Sequence, residues 1–371
     1  MKNKLNSMSL AALSALLLFS LPLVAHAQTT LINGANQTGT IFTNTTDSYI
    51  FTANKGDSIN LRLGTSGFPG ILQLYGPDSL LLGTVNDSTD DLIAYTATNS
   101  GTFIVQVSSD NLSGHPRTGP YVLNLSQIPE AFIVPDGDGG GPLINGANAT
   151  GTITLGRQDL WTFTANAGDS INLRLGTTGF NGRLELYGPD GAFLQYYQDS
   201  TDDLIAYTAT NSGTFTVLVS SYDLNGNDTG TYVLNLSQIP EPFIVPAGYG
   251  GGPLTNGANA AGTITLGRQD LWTFTANKGD SINLRLGTTG FLGNLVLYGP
   301  NGALLAAFNE SVDGSIAYTA TNSGTFTVLV DSYDLNGNDT GTYVLNLSQI
   351  PEPFIVPAGY GGGPLTNGAN A

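Results

Sequence analysis

Trp161-Thr162-Phe163-Thr164-Ala165, then Asn166-Ala167-Gly168-Asp169, then Ser170-Ile171-Asn172-Leu173-Arg174-Leu175: on both sides of a glycine-bearing turn the hydrophobic period is two. Such alternation puts every second side chain on one face of an extended chain, so the stretch reads as two half-buried strands and the turn between them. The pattern continues outward through Leu184 and Leu186, Ile205 and Tyr207, Phe215, Val217 and Val219, and Tyr232, Leu234 and Leu236. Gly188-Pro189-Asp190-Gly191 and Asn211-Ser212-Gly213 separate the runs with residues suited to tight turns. With Gly151 to Leu155 and Ala192 to Gln198 added, roughly eight strands are expected, and no stretch carries a capped 3.6-residue period. The expected fold is all-β, an antiparallel β-sandwich of jelly-roll-like type, with Trp161, Phe163, Leu173, Leu186, Tyr207, Phe215, Val217 and Leu234 inside. Periodicity alone leaves a closed barrel as the alternative.

This block is one of three. Leu31-Ile32-Asn33-Gly34-Ala35-Asn36 returns at Leu143, at Leu254 with Thr255 in second place, and at Leu365. The chain therefore divides into residues 1–27, repeats ending at 142, 253 and 364 (28–142, 143–253 and 254–364), and a restart at 365–371 that opens an incomplete fourth repeat. Each repeat is long enough to hold its own core. Ile239-Pro240-Glu241-Pro242-Phe243-Ile244-Val245-Pro246 and the glycines after it read as a linker, in which Phe243, Ile244 and Val245 are candidates to pack on the preceding domain and fix its angle to the next.

Lys2 and Lys4, the apolar run from Leu10 to Val24 and Ala25-His26-Ala27 have the order of a secretory signal, so residues 1–27 are expected to be cleaved on export. The run is shorter than the ~20 residues a membrane span needs, and no second such run follows. With 11 Lys+Arg against 28 Asp+Glu, the acidic chain has no basic stripe for nucleic acid. The absence of cysteine removes thiolate metal sites, thiol nucleophiles and disulfides. An exported acidic chain without disulfides is expected to use another staple, and calcium is a common one.

Asp159-Leu160-Trp161-Thr162-Phe163 through Asp169-Ser170-Ile171-Asn172-Leu173, then Leu184 to Gly191, Ala206 to Val219 and the closing Gly230-Thr231-Tyr232-Val233-Leu234 resemble the bacterial pre-peptidase C-terminal domain, in all three repeats. The resemblance implies β-sandwiches attached to secreted peptidases and other exported proteins, some of which bind calcium or extracellular matrix. Its motifs are turn and core residues, so it speaks to fold more than to activity.

No catalytic set is expected. His26 belongs to the signal, and His115 stands alone in the one loop that carries an insertion. Asp90-Asp91 and Asp202-Asp203 are neighbours on a strand, where they point to opposite faces instead of forming a facing acid and base. For calcium, Asp223, Asn225, Asn227 and Asp228, repeated as Asp334, Asn336, Asn338 and Asp339, put four oxygen-bearing side chains in six residues. Asp199, Asp202 and Asp203 are the alternative metal set.

The second and third repeats differ at 17 positions, 13 of them between Asn181 and Leu204. Arg183 becomes Asn294, Glu185 becomes Val296, Tyr196 becomes Ala307 and Tyr197 becomes Phe308. If this surface meets a ligand, Tyr196, Tyr197 and Arg183 are its anchors. The function expected is a secreted, non-enzymatic string of sandwiches that binds or spaces an extracellular polysaccharide or protein. The alternative is an accessory part of an exported hydrolase whose catalytic domain is not in this chain.

Overall fold

In a computed structural model, residues 28–86, 88–109, 118–224, 226, 229–335 and 340–365 are described. The expected export signal at 1–27, His115 and all of the restart at 365–371 except Leu365 lie outside them. Among the described residues there is no helix, and so none long and apolar enough to cross a membrane. Six sheets form three pairs, one pair per repeat, which settles the sandwich against the closed barrel.

The second unit represents all three. Asn148–Ile153, Gly230–Ile239, Ser170–Thr178 and Asp202–Thr208 make a four-stranded sheet in that order. Opposite it, Asp159–Ala165, Gly213–Ser221, Gly182–Tyr187 and Phe193–Ser200 make the second sheet. With these eight strands numbered in chain order, the sheets read 1-8-3-6 and 2-7-4-5, the double Greek key of a jelly roll. A ninth strand was not legible: Gly141–Pro142 pairs in parallel with Asp159–Ala165 and extends the second sheet to five strands. Two residues of the glycine-rich join show no alternation, so they read as linker.

The core lies between the sheets. Trp161, Phe163, Leu173, Leu186, Phe215, Val217 and Leu234 are buried as the alternation requires, while Tyr207 is half-buried and packs on the core's edge. Register opposes Phe163 to Phe215, whose rings stack at 5.5 Å between centroids. Phe51 with Phe103 and Phe274 with Phe326 repeat the stack. One end of the core is closed by polar groups: the Trp161 indole donates to the Tyr232 hydroxyl at 2.9 Å, and that hydroxyl donates to Asp159 at 2.6 Å. Burial pushes the Asp159 carboxyl up to about 7, against the lowering effect of the Tyr232 hydrogen bond.

Candidate functional site

The candidate site is the junction between units, and it starts from the outward half of the alternation. In Ser170–Thr178, Ile171, Leu173 and Leu175 face the core, leaving Ser170, Asn172 and Arg174 on the opposite face, where solvent would be expected. They are nonetheless buried, Arg174 completely, because the next unit lies on them. The Arg174 guanidinium grips Asp202 with two bonds of 2.8 Å. It then donates across the junction to the carbonyls of Ser332 at 2.7 Å and Asp334 at 3.3 Å, and its Nη1 lies 3.0 Å from Asp331 Oδ2. Arg62 does the same one unit earlier, with two 2.8 Å bonds to Asp90 and bonds of 2.8 and 3.3 Å to the carbonyls of Ser221 and Asp223. The planar fork makes this possible: one edge is satisfied by a carboxylate, the other by main-chain oxygens.

Apolar side chains surround the polar clasp. At the first junction Ile128 and Phe132 meet Leu160, Tyr187 and Leu218; at the second, Ile239 and Phe243 meet Leu271, Val296, Tyr298 and Leu329. Of the three linker residues expected to pack, Phe243 does so, whereas Ile244 and Val245 are exposed. The linker is held by its backbone instead. Asn145 Nδ2 donates to the carbonyls of Gln238, Glu241 and Pro242, and the Ile244 amide donates to Asn145 O at 2.9 Å. Asn33 and Asn256 repeat the clamp, which gives the Leu-Ile-Asn-Gly-Ala-Asn motif its structural task.

Backbones touch at the junction's rim. A Cβ added at Gly64 would come within 2.4 Å of Gly156 N, and one at Gly176 within 2.4 Å of Gly267 N. Those glycines serve close approach between units, since no side chain fits between the chains.

The metal candidates fall around this contact. Asn225, Asn227, Asp228, Asn336, Asn338 and Asp339 lie outside the described residues. The described ends of the two loops belong to the clasp: the Asp223 and Asp334 carbonyls accept from Arg62 and Arg174, and those of Leu224 and Leu335 accept from Ser88 and Ser200. Asp199, Asp202 and Asp203 are not brought together as a ligand set, and among the described residues no group of three acidic or histidine side chains could hold a metal. The reason is strand alternation. Asp202 turns outward to Arg174, whereas Asp203 opposes Leu175 and turns into the core. There neither Asp203 oxygen finds a hydrogen-bond partner, and burial, with Asp202 and Asp199 adding repulsion, pushes its carboxyl up to about 8.

The tyrosine candidates divide in the same way. Tyr196, opposite Glu185, is exposed, but Tyr197, opposite Leu184, packs on the core. The expectation of two exposed neighbouring tyrosines is corrected, since adjacent strand residues face opposite sides. Arg183 forms an ion pair with Glu185, whose other oxygen accepts from Tyr187 at 2.6 Å; Tyr187 in turn accepts from Asn60 of the first unit at 3.1 Å. These residues, with Tyr95 and Phe193, line an open crevice of about 310 Å³ between the first two units.

The clustered differences between repeats now acquire physical causes. Arg183 and Glu185 belong to the first junction, and at the second their place is taken by Asn294 and the buried Val296. Ser220 is replaced by Asp331, so the second junction buries an acid against the preceding unit's arginine, while the first buries Glu185 against its own unit's Arg183. Gly314, in place of Asp203, lies under the Phe308 ring, where any Cβ would be 2.6 Å from a ring carbon.

Among known protein families, the bacterial pre-peptidase C-terminal domain matches residues 157–221. Among solved structures, the chain is similar to the pre-peptidase C-terminal domain of a Bacillus anthracis collagenase, at 18% identity over 27% of this chain and 96% of that one, with a TM-score of 0.24. It is also similar to an M60 catalytic domain with two CBM51 domains from Clostridium perfringens, at 8% identity over 84% of this chain and 55% of that one, with a TM-score of 0.20. A search of curated proteins finds no match.

Proposed function

Residues 157–221 belong to the bacterial pre-peptidase C-terminal domain family, and from that premise we propose that the chain is an extracellular, non-catalytic spacer whose three sandwiches are held at set angles. One observation carries this reading: Arg62 and Arg174 are buried whole between units, each bonded to a carboxylate of its own unit and to carbonyls of the next. A flexible string would leave them in water, because burying a guanidinium is tolerated only when its bonds are all provided.

What the spacer carries or meets is an extracellular polysaccharide or protein, with exposed Tyr196, opposite the crevice residue Glu185 in the sheet register, as the contact to examine first. The family's description favours a second reading, in which the same rod serves an exported hydrolase as an accessory region. Small-angle X-ray scattering on the chain tests the rigid spacer. A profile fitted by one fixed arrangement of the three units is expected, and replacing both Arg62 and Arg174 by Met should make an ensemble necessary. A profile that needs an ensemble before any substitution would overturn the proposal.

A further inference from the structure

Each unit has a trailing face, which meets the unit after it, and a leading face, which meets the unit before it. The trailing faces of all three units carry the same residues. Ser58, Asn60, Arg62, Gly64, Asp90, Ile128 and Phe132 of the first correspond to Ser281, Asn283, Arg285, Gly287, Asp313, Ile350 and Phe354 of the third. In the first two units the face is covered. In the third it is bare: Ile128 and Ile239 are each 1% exposed, but Ile350 is 60% exposed, and Arg285 keeps its bond to Asp313 in the open. Gly287 preserves the absence of a side chain although a Cβ there would meet nothing within 4 Å.

The leading faces are not equivalent. Where the second and third units offer Leu160 and Leu218, or Leu271 and Leu329, to the unit before them, the first has Ser48 and Gln106. The leading-face glycines Gly156 and Gly191, against which the first unit's backbone closes, become Asn44 and Ser79, which hold the same left-handed φ of 58° and 62°. Asparagine tolerates the left-handed conformation and serine adopts it rarely, so its retention at both positions shows that the turn is common to all units while the glycine is tied to docking. The first unit thus has the character of a capping repeat, and the third does not.

We infer that the trailing face of the third unit is a docking site for a further unit of the kind formed by residues 254–364, placed after the linker at 350–364. The established junctions specify that occupant: a Leu-Gly turn to meet Gly287, two leucines and a tyrosine to cover Ile350 and Phe354, and an acid equivalent to Asp331 to reach Arg285. A second copy of the intact chain does not fit, because its first unit lacks the leucines and glycines and its other leading faces are already covered. The linker is prepared for the connection, since Asn256 clamps it as Asn33 and Asn145 clamp theirs, and the Ile355 amide bonds Asn256 O at 3.0 Å.

The chain has no cysteine, so a single introduced thiol reports burial directly. Ile350→Cys in the chain is expected to label rapidly with a maleimide, and Ile239→Cys slowly. In a chain extended after Pro364 by a copy of residues 254–364, labelling at Cys in place of Ile350 is expected to slow on the order of a hundredfold. Adding Gly287→Ala to that extended chain should restore rapid labelling, while leaving the unextended chain's melting temperature unchanged. The inference rests on the junction reading above but fails separately from it. Rapid labelling at Ile239→Cys overturns both; slow labelling there with rapid labelling at Ile350→Cys in the extended chain overturns this inference alone. Concentration-dependent protection of Ile350→Cys in the unextended chain would also overturn it, since that outcome makes a second intact chain the occupant.

Discussion

Arg174 of the second unit and Asp331 of the third form an ion pair across their junction, with Nη1 3.0 Å from Oδ2 and both side chains 1% exposed. Its two ends are not equivalent. Arg174 also holds Asp202, so its loss leaves two buried acids, whereas loss of Asp331 leaves the arginine paired, as Arg62 is at the first junction where Ser220 stands in that place. Arg174→Met is therefore expected to weaken the second junction by about 3–5 kcal/mol, the cost of breaking a buried pair. Asp331→Ser should cost less than about 2 kcal/mol. Calorimetry checks this: separate transitions for the units in Arg174→Met but not in Asp331→Ser are expected, and equal effects would contradict the asymmetry.

Gly176→Ala places a Cβ 2.4 Å from a main-chain nitrogen of the third unit, and Gly287→Ala places one in open space. The same substitution at equivalent positions should thus lower the melting temperature in the first case and leave it unchanged in the second. Loss of stability in both would mean that the glycines serve the strand itself and not the approach of the next unit.

Phe215→Ala removes a ring buried in the second core and stacked on Phe163. A loss of about 3–5 kcal/mol is expected in urea unfolding of that unit. A loss below about 1 kcal/mol would show that the core does not depend on the pair.

Stability should fall as pH rises. Asp203 is held at about 8 in the folded chain, above the ~3.9 of an unfolded aspartate, so between those values the folded state keeps a proton that the unfolded state has released. Stabilisation is then fully present below about pH 4 and is lost at up to ~1.4 kcal/mol per pH unit until about pH 8. Asp159, at about 7, and Asp270 and Asp331, at about 6, act in the same direction over narrower windows. Asp203→Asn should raise the melting temperature at pH 8 and change it little at pH 4. A variant whose advantage does not depend on pH would contradict the inward, protonated placement.

The sandwich was legible because inward residues announce themselves by period: Ile171, Leu173 and Leu175 lie on the core, as do Phe215, Val217 and Val219. The junction was harder to see because its residues occupy the outward positions of the same strands, which read as solvent-facing. Arg174 looks like any exposed strand arginine until a neighbouring unit covers it. A signal did exist. Val217-Leu218-Val219 is continuously apolar, as suits a strand buried on both faces, while its counterpart Val105-Gln106-Val107 alternates. The cluster of differences between Asn181 and Leu204 likewise held junction residues, Arg183 and Glu185, beside the inward pair Tyr197 and Asp203. The alternation of Leu184 with Leu186 and of Ile205 with Tyr207 already separates the two groups by face; what it does not show is that a neighbouring unit covers the outward one.

The set angle between units is measured most directly with spin labels on Lys55→Cys and Lys278→Cys, exposed equivalent positions in the first and third units of a chain without native cysteine. Double electron–electron resonance should give one narrow distance distribution, broadened when Arg62 and Arg174 are both replaced by Met. A broad distribution in the chain with both arginines intact would contradict rigid docking and, with it, the spacer.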